Sequence, residues 1–211
     1  MNYKKLFSNR IGGENFGEST AIYKFEKIKR AKVEAKNICP DIEILDFGVG
    51  EPDQIAPEKI RNALKIAVDK HENRGYADNG TDFFSNAAKK YMKTFFDVDI
   101  NSDTEINHSI GIKSALSMLP LAFINSGDVI FQTVPGYPVM ASHTKFLGGD
   151  VIDIPLLEKN NFLPNLKDIN PDLAKKAKLF YINYPNNPTG SVATDEFYDE
   201  IIDFALTYDI L

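Results

Sequence analysis

The chain has almost nothing with which to build staples, metal centres or membrane anchors. Its single cysteine, Cys39, has no partner for an internal disulfide, which fits a reducing cytoplasm. The histidines at 71, 108 and 143 stand far apart without ligand spacing, so no metal site is expected. No apolar run approaches membrane-spanning length, and the start Met1-Asn2-Tyr3-Lys4 lacks the core of a signal peptide. Positive charge is short as well. With 24 basic against 30 acidic residues the net charge is −6, which argues against nucleic acid or an anionic membrane as partner. Repeats and low-complexity tracts are absent.

What remains is the composition of an ordinary globular protein, 43% hydrophobic and 26% charged. Residues 1–18 are polar and Gly-containing and read as an arm with little structure of its own. Ser19 or Thr20 can cap a helix that runs to about Asn37 and is ended by Cys39-Pro40. Glu43–Phe47 reads as a short strand leading into Gly48-Val49-Gly50-Glu51-Pro52-Asp53, where two glycines at alternate positions allow a close backbone approach. Pro57 suits the first position of a helix to about Lys70. After the loop Gly75-Tyr76-Ala77-Asp78-Asn79-Gly80, Thr81 caps a helix to about Phe96.

From there strand and helix alternate. Strands are expected at 105–109, 128–133, 150–154 and 178–182, with helices at 111–124, 137–146, 166–175 and 194–207 between and after them. Such alternation predicts an α/β fold, a three-layer αβα arrangement with a mainly parallel sheet. Tyr208-Asp209-Ile210-Leu211 reads as a helix end and the opening of another strand, so the chain is read as a fragment.

Ligands of α/β proteins bind at the carboxyl edge of the sheet, and three strand ends there carry suggestive residues. After the first comes Gly111-Ile112-Lys113-Ser114, a helix start whose free N–H groups and hydroxyl suit phosphate. A plain helix N-terminus is the simpler reading, since P-loop spacing is absent. After the second comes Val134-Pro135-Gly136-Tyr137-Pro138, where Tyr137 is held for stacking on a flat heteroaromatic or merely packs on a turn. After the third comes Tyr184-Pro185-Asn186-Asn187-Pro188-Thr189-Gly190. Pro188 steers Asn187 away from helical backbone, so its amide can donate to a ligand oxygen while its own oxygen is tied back. An ordinary strand-to-helix turn would use the same residues. Phosphate site, aromatic platform and amide donor together fit one phosphorylated aromatic cofactor.

Gly48-Val49-Gly50-Glu51-Pro52, Gly111-Ile112-Lys113, Pro135-Gly136-Tyr137-Pro138 and Asn187-Pro188-Thr189-Gly190 occur in the order seen in fold-type I pyridoxal-phosphate aminotransferases of classes I and II. The resemblance covers nearly the whole chain. Tyr23-Lys24-Phe25-Glu26-Lys27-Ile28 and Gly111-Ile112-Lys113 look most like the LL-diaminopimelate aminotransferases. The resemblance implies an arm and part of a small domain over 1–50 and a truncated cofactor-binding large domain over 51–211. It implies pyridoxal 5'-phosphate as cofactor. Asn187 would bond its phenolic oxygen, Tyr137 would stack on its ring, and Ile112 and Lys113 would serve the phosphate, Lys113 also the substrate. Tyr76 matches a tyrosine reaching the phosphate of a neighbouring subunit, which implies a homodimer. Tyr23 and Gly50 match positions lining the substrate pocket.

The implied reaction is transamination between an amino acid and a 2-oxo acid, with LL-diaminopimelate and 2-oxoglutarate as the pair suggested by the narrower likeness. The family's Schiff-base lysine, its pyridine-nitrogen aspartate and its carboxylate-clamping arginine all lie downstream of the Asn-Pro-Thr-Gly turn. The 211 residues alone are therefore expected to be inactive. A pyridoxal-phosphate-dependent C–S lyase, a cofactor-binding module without catalysis and a bare non-catalytic fragment are the alternatives.

Overall fold

The computed structural model describes residues 3–18, 24–48, 50–77 and 80–211. The chain divides into two compact units, Met1–Asp78 and Asn79–Leu211. In the first, the arm has more local order than its composition suggests. It winds through short 3₁₀ turns at Tyr3–Leu6, Asn9–Ile11 and Gly13–Asn15. The Phe7 and Phe16 rings close it at 4.4 Å, and Lys4 pairs with Glu18. Helix α1 covers Lys24–Ile38 and α2 covers Glu58–Val68. Pro57 stands one place outside α2, its carbonyl accepting from the amides of Ile60 and Arg61.

The strand expected at 43–47 does not form. Asp46 turns its carboxylate onto the Gly48 amide (2.9 Å) and pairs with Lys32. A short acid that captures nearby backbone favours a turn over a ladder.

The second unit is built on a three-stranded sheet of order β2-β1-β3, all parallel. Its strands are β1 (Val129–Val134), β2 (Asp150–Pro155) and β3 (Ala177–Tyr181). Central β1 is buried from Val129 to Thr133, as a strand covered on both faces must be. The helices of this unit are α3 (Asp82–Phe96), α4 (Ile112–Phe123), α5 (Val139–Phe146), the single turn α6 (Pro171–Ala174) and α7 (Asp195–Tyr208).

Side chains of the strands feed two cores, alternating along β1, while β3 changes face between Ala177 and Leu179 at a shift of register beside Val129 and Ile130. On one face Ile130 and Leu179 meet Ile124 just past α4, Met140 of α5 and Leu116 of α4. On the other, Val129, Phe131 and Ala177 meet Ala174 of α6, Ile169, and Phe204 and Tyr208 of α7. Three layers result, the truncated α/β domain that the alternation of elements anticipates. At the entry to β2, a Cβ on Gly149 would lie 2.7 Å from Ile124 and 2.8 Å from Thr144, so only glycine lets α5 and β2 approach this closely. Beyond α7, which Asp209 closes in the left-handed conformation, Leu211 donates to Lys178 O (3.1 Å) and accepts from Phe180 N (2.8 Å). This pair of bonds has the parallel pattern beside β3.

Other expectations need correction. The segment 105–109 forms no strand, because Asn101 and Glu105 tie each other into a turn and no neighbour among the described residues pairs with it. The helix expected over 166–175 is broken into a 3₁₀ turn, Leu166–Asp168, and α6. Asn170-Pro171 restarts the chain there, with Asn170 Oδ1 accepting from Asp172 N at 2.8 Å. Helix α5 begins at Val139, which leaves Tyr137 in the loop.

Candidate functional site

Strands β1 and β3 are parallel neighbours, so their following loops leave the sheet at the same edge. In the first loop the chain folds back tightly. A Cβ on Gly136 would stand 2.3 Å from Thr133 O, a contact that excludes every other residue. Gln132 Nε2 donates to Tyr137 O at 3.4 Å, and Tyr137 is left half-buried. The neighbouring strand contributes Tyr181, whose phenol is pushed up by burial and further by the nearby Tyr137 phenol.

The loop after β3 carries Asn187 on a closely bonded turn. Its amide donates to Asn183 Oδ1 at 3.2 Å, and its side chain is exposed. That carboxamide bonds to no other described residue, so its oxygen is not tied back as the sequence suggested. The two loops are joined directly: Asn186 Nδ2 donates to Pro135 O at 3.3 Å. Tyr137 and Asn187 thus lie on loops that share one edge and one hydrogen bond.

Ile112 and Lys113 open α4. Before them Gly111 adopts φ 72°, ψ 158°, with open space beside its Cα. Both side chains are exposed, and the first amides of the helix have no intrahelical acceptor. Helix α4 enters β1 through the turn 125–128 and therefore runs back against the strand. Its Leu116 packs with Ile130 of β1 on one face of the sheet. Among the described residues no hydrogen bond or ring contact connects Ile112 or Lys113 to Tyr137 or Asn187. Ser114 differs from expectation, since its hydroxyl donates to Ile110 O at 2.9 Å within its own segment.

The remaining candidates belong to the other compact unit. Tyr76 is fully exposed in the loop after the 3₁₀ turn His71–Arg74, and Gly50 is exposed with nothing near its Cα. Tyr23 lies outside the described residues.

Sequence reasoning passed over Asn183 and Asn186, which shape the turn that presents Asn187. The spacing of Asn183 to Asn187 and the doubled Asn beside prolines were the available signals.

These loops have counterparts in known proteins. The family model for aminotransferase class I and II matches residues 42–211. The LL-diaminopimelate aminotransferase of Methanocaldococcus jannaschii is 52% identical over 209 residues, covering 99% of this chain and 50% of its own. That of Aquifex aeolicus is 41% identical over 190 residues, covering 90% and 49%. Among solved structures, substrate-bound BacF from Bacillus subtilis superposes with a TM-score of 0.85 at 31% identity, over 97% of this chain and 50% of that one. The chain spans about half the length of the curated relatives it matches. The matched family model takes in both joined loops and the whole parallel sheet behind them, and on that footing the chain belongs to the class I and II aminotransferases.

Proposed function

We propose that the protein takes part in pyridoxal-phosphate-dependent transamination, with LL-diaminopimelate as amino donor and 2-oxoglutarate as acceptor. One observation carries the reading beyond family membership: Tyr137 and Asn187 stand on bonded loops at one edge of a parallel sheet. The residues suit the cofactor chemically. A half-buried ring can cover a flat heteroaromatic, an unengaged carboxamide can donate to a phenolic oxygen, and a helix start can receive a phosphate.

In this reading Asn187 donates to the phenolic oxygen and Tyr137 packs on the pyridine face. The amides of Ile112 and Lys113 hold the phosphate, and the Lys113 ammonium serves phosphate or substrate. Tyr76 serves the phosphate of a second copy in a homodimer, so sites are shared across a two-fold axis. Tyr23 and Gly50 line the substrate pocket, Gly50 offering its amide to a carboxylate. Residues 1–50 form the arm and part of a small domain, and 51–211 the cofactor-binding domain. When bound, the cofactor supplies an electron sink for the substrate α-carbon. A cytoplasmic location fits the lone free cysteine, and no helix among the described residues is long and apolar enough to cross a membrane.

These 211 residues alone do not transaminate at an enzymatic rate, because the family places its covalent lysine beyond the Asn187 turn. The test compares residues 1–211 with the protein at its full encoded length. Each is mixed with pyridoxal phosphate and LL-diaminopimelate, and a single turnover is followed. Full-length protein should convert the donor, while residues 1–211 should run roughly a thousandfold slower or worse. Rapid conversion by residues 1–211 would refute the division of labour. Elimination from a sulfur amino acid, without conversion of LL-diaminopimelate, would make the protein a C–S lyase.

A further inference from the structure

Asn186 is 3% exposed and lies between the loops of the two candidate cofactor residues. Both hydrogens of its Nδ2 are used. One goes to Pro135 O (3.3 Å), two residues before Tyr137, and the other to Thr189 Oγ1 (2.9 Å), two residues after Asn187. Its backbone is engaged at both ends as well, with its N–H donating to Ser191 O (2.9 Å) and its carbonyl accepting from Gly190 N (2.7 Å). Thr189 Oγ1 in turn meets Ser191 Oγ at 2.5 Å and accepts from Ser191 N at 3.3 Å. These bonds tie the backbone on either side of Asn187 to the loop that carries Tyr137.

Resting on the cofactor reading of Asn187, we propose that Asn186 is a positioning residue, which holds the Asn187 carboxamide in register with the Tyr137 ring by bridging Pro135 O and Thr189 Oγ1. The chemistry requires an amide there. Both partners are acceptors on the side Nδ2 faces, so a carboxylate or an aliphatic side chain of the same shape could donate to neither and the bridge between the loops would be lost. Asn186 Oδ1 is itself buried without a partner, a cost the fold carries to keep two donors on the other side of the group. Asn186 touches no reacting atom in this scheme, and its effect reaches the cofactor only through Asn187 and Tyr137.

The decisive measurement is the pH titration of the bound cofactor's visible absorbance in full-length protein. It is made for wild type, Asn186→Ala, Asn187→Ala, the double variant and a control, Thr144→Ala. Thr144 is fully buried on α5 away from both loops, so its loss reports general loosening. Losing one neutral donor to the phenolic oxygen should change the protonation equilibrium roughly threefold to tenfold, a midpoint shift of about 0.5 to 1 pH unit for Asn187→Ala.

Asn186→Ala should move the midpoint in the same direction and add nothing in the Asn187→Ala background, whereas Thr144→Ala should lower Tm and leave the midpoint alone. If Asn186→Ala does not fold, Thr189→Val removes one arm of the bridge and should give a smaller shift of the same sign. A wild-type midpoint for Asn186→Ala or Thr189→Val beside a shifted Asn187→Ala would overturn the positioning role alone. Additive shifts in the double variant would overturn it too, by showing the two residues act independently. An unshifted Asn187→Ala would overturn the cofactor reading, and the present inference with it.

Discussion

Helices α2 and α7 are amphipathic to the eye in the same way, yet one buries nothing and the other anchors a core. In α2, Ile60 and Leu64 recur at helical spacing, and they remain 61% and 65% exposed. In α7, Phe197 and Ile201 are buried at the same spacing, and Phe204 and Tyr208 pack on the core around Phe131. Helix α3 follows α2, with no buried residue in its Asp82–Phe96 span. Periodicity therefore reports that a face wants cover and is silent about what covers it. For α7 the cover is the core on one face of the parallel sheet, around Phe131.

The strongest way to break this contrast is to cut into both faces equally. Phe131 is fully buried, with Phe180 at 5.4 Å and Phe204 at 6.5 Å between ring centroids. Phe131→Ala should cost about 3–5 kcal/mol, since the lost contacts and the cavity add together. Leu64→Ala on α2 should stay within about 0.5 kcal/mol. Denaturant midpoints at constant slope decide it. A large loss at Leu64 would show that the α2 face is packed in solution and that the contrast ends there.

The same contrast explains what was legible in the sequence. Apolar runs read correctly wherever a neighbour completes them: 129–134, 150–155 and 177–181 pair with one another, and each run fell within a residue or two of its strand. Runs without a neighbour misled, as at 43–47 and 105–109, where nearby Asp, Asn and Glu side chains captured the backbone instead. Caps were legible because their chemistry is local, and Thr81 and Thr194 both accept the bond expected of them. The helix expected at 166–175 does not form for an equally local reason, the restart of the chain at Asn170-Pro171. At the candidate site, Tyr137 and Asn187 stood out as turn residues at strand ends. Asn186 did not, because its importance lies in a bond to Pro135, far away in the chain.

A smaller effect sharpens the comparison from within the α7 core. Tyr184 packs edge-on against Phe197 at 5.6 Å and donates its Oη–H to Phe162 O at 2.8 Å. Burial, with the neighbouring Tyr198 phenol as lesser cause, pushes its pKa up to about 12. The neutral phenol is thus the form the fold prefers. Its contribution is intact below the ordinary tyrosine value near 10 and is lost as pH rises through about 12. Because the group is only half-buried, solvent screening makes the loss smaller than that shift alone would imply. Tyr184→Phe should cost about 1 kcal/mol at neutral pH. It should also flatten the part of the stability profile between pH 10 and 12 relative to wild type. Parallel profiles for the two proteins across that window would mean that Tyr184 is not the group responsible.

The finest comparison uses two caps of nearly identical geometry. Thr81 Oγ1 accepts from Phe84 N and Thr194 Oγ1 from Phe197 N, each at 3.2 Å, and both threonines have extended backbone. Each cap is worth about 1 kcal/mol to its own helix. What differs is where that energy is read. Helix α7 buries Ile201 and Phe197, the latter against Tyr184, and packs Phe204 and Tyr208 on the core around Phe131, so it cannot fray far without opening buried contacts, and Thr194→Ala should lower global stability by close to the full amount. Helix α3 has no fully buried residue, so Thr81→Ala should speed hydrogen exchange at the Phe84 and Ser85 amides about fivefold and leave the global midpoint nearly still. Denaturation and amide exchange on the two variants separate these cases. Equal losses of global stability would show that α3 unfolds together with the sheet, and that exposure of its apolar face is no measure of its independence.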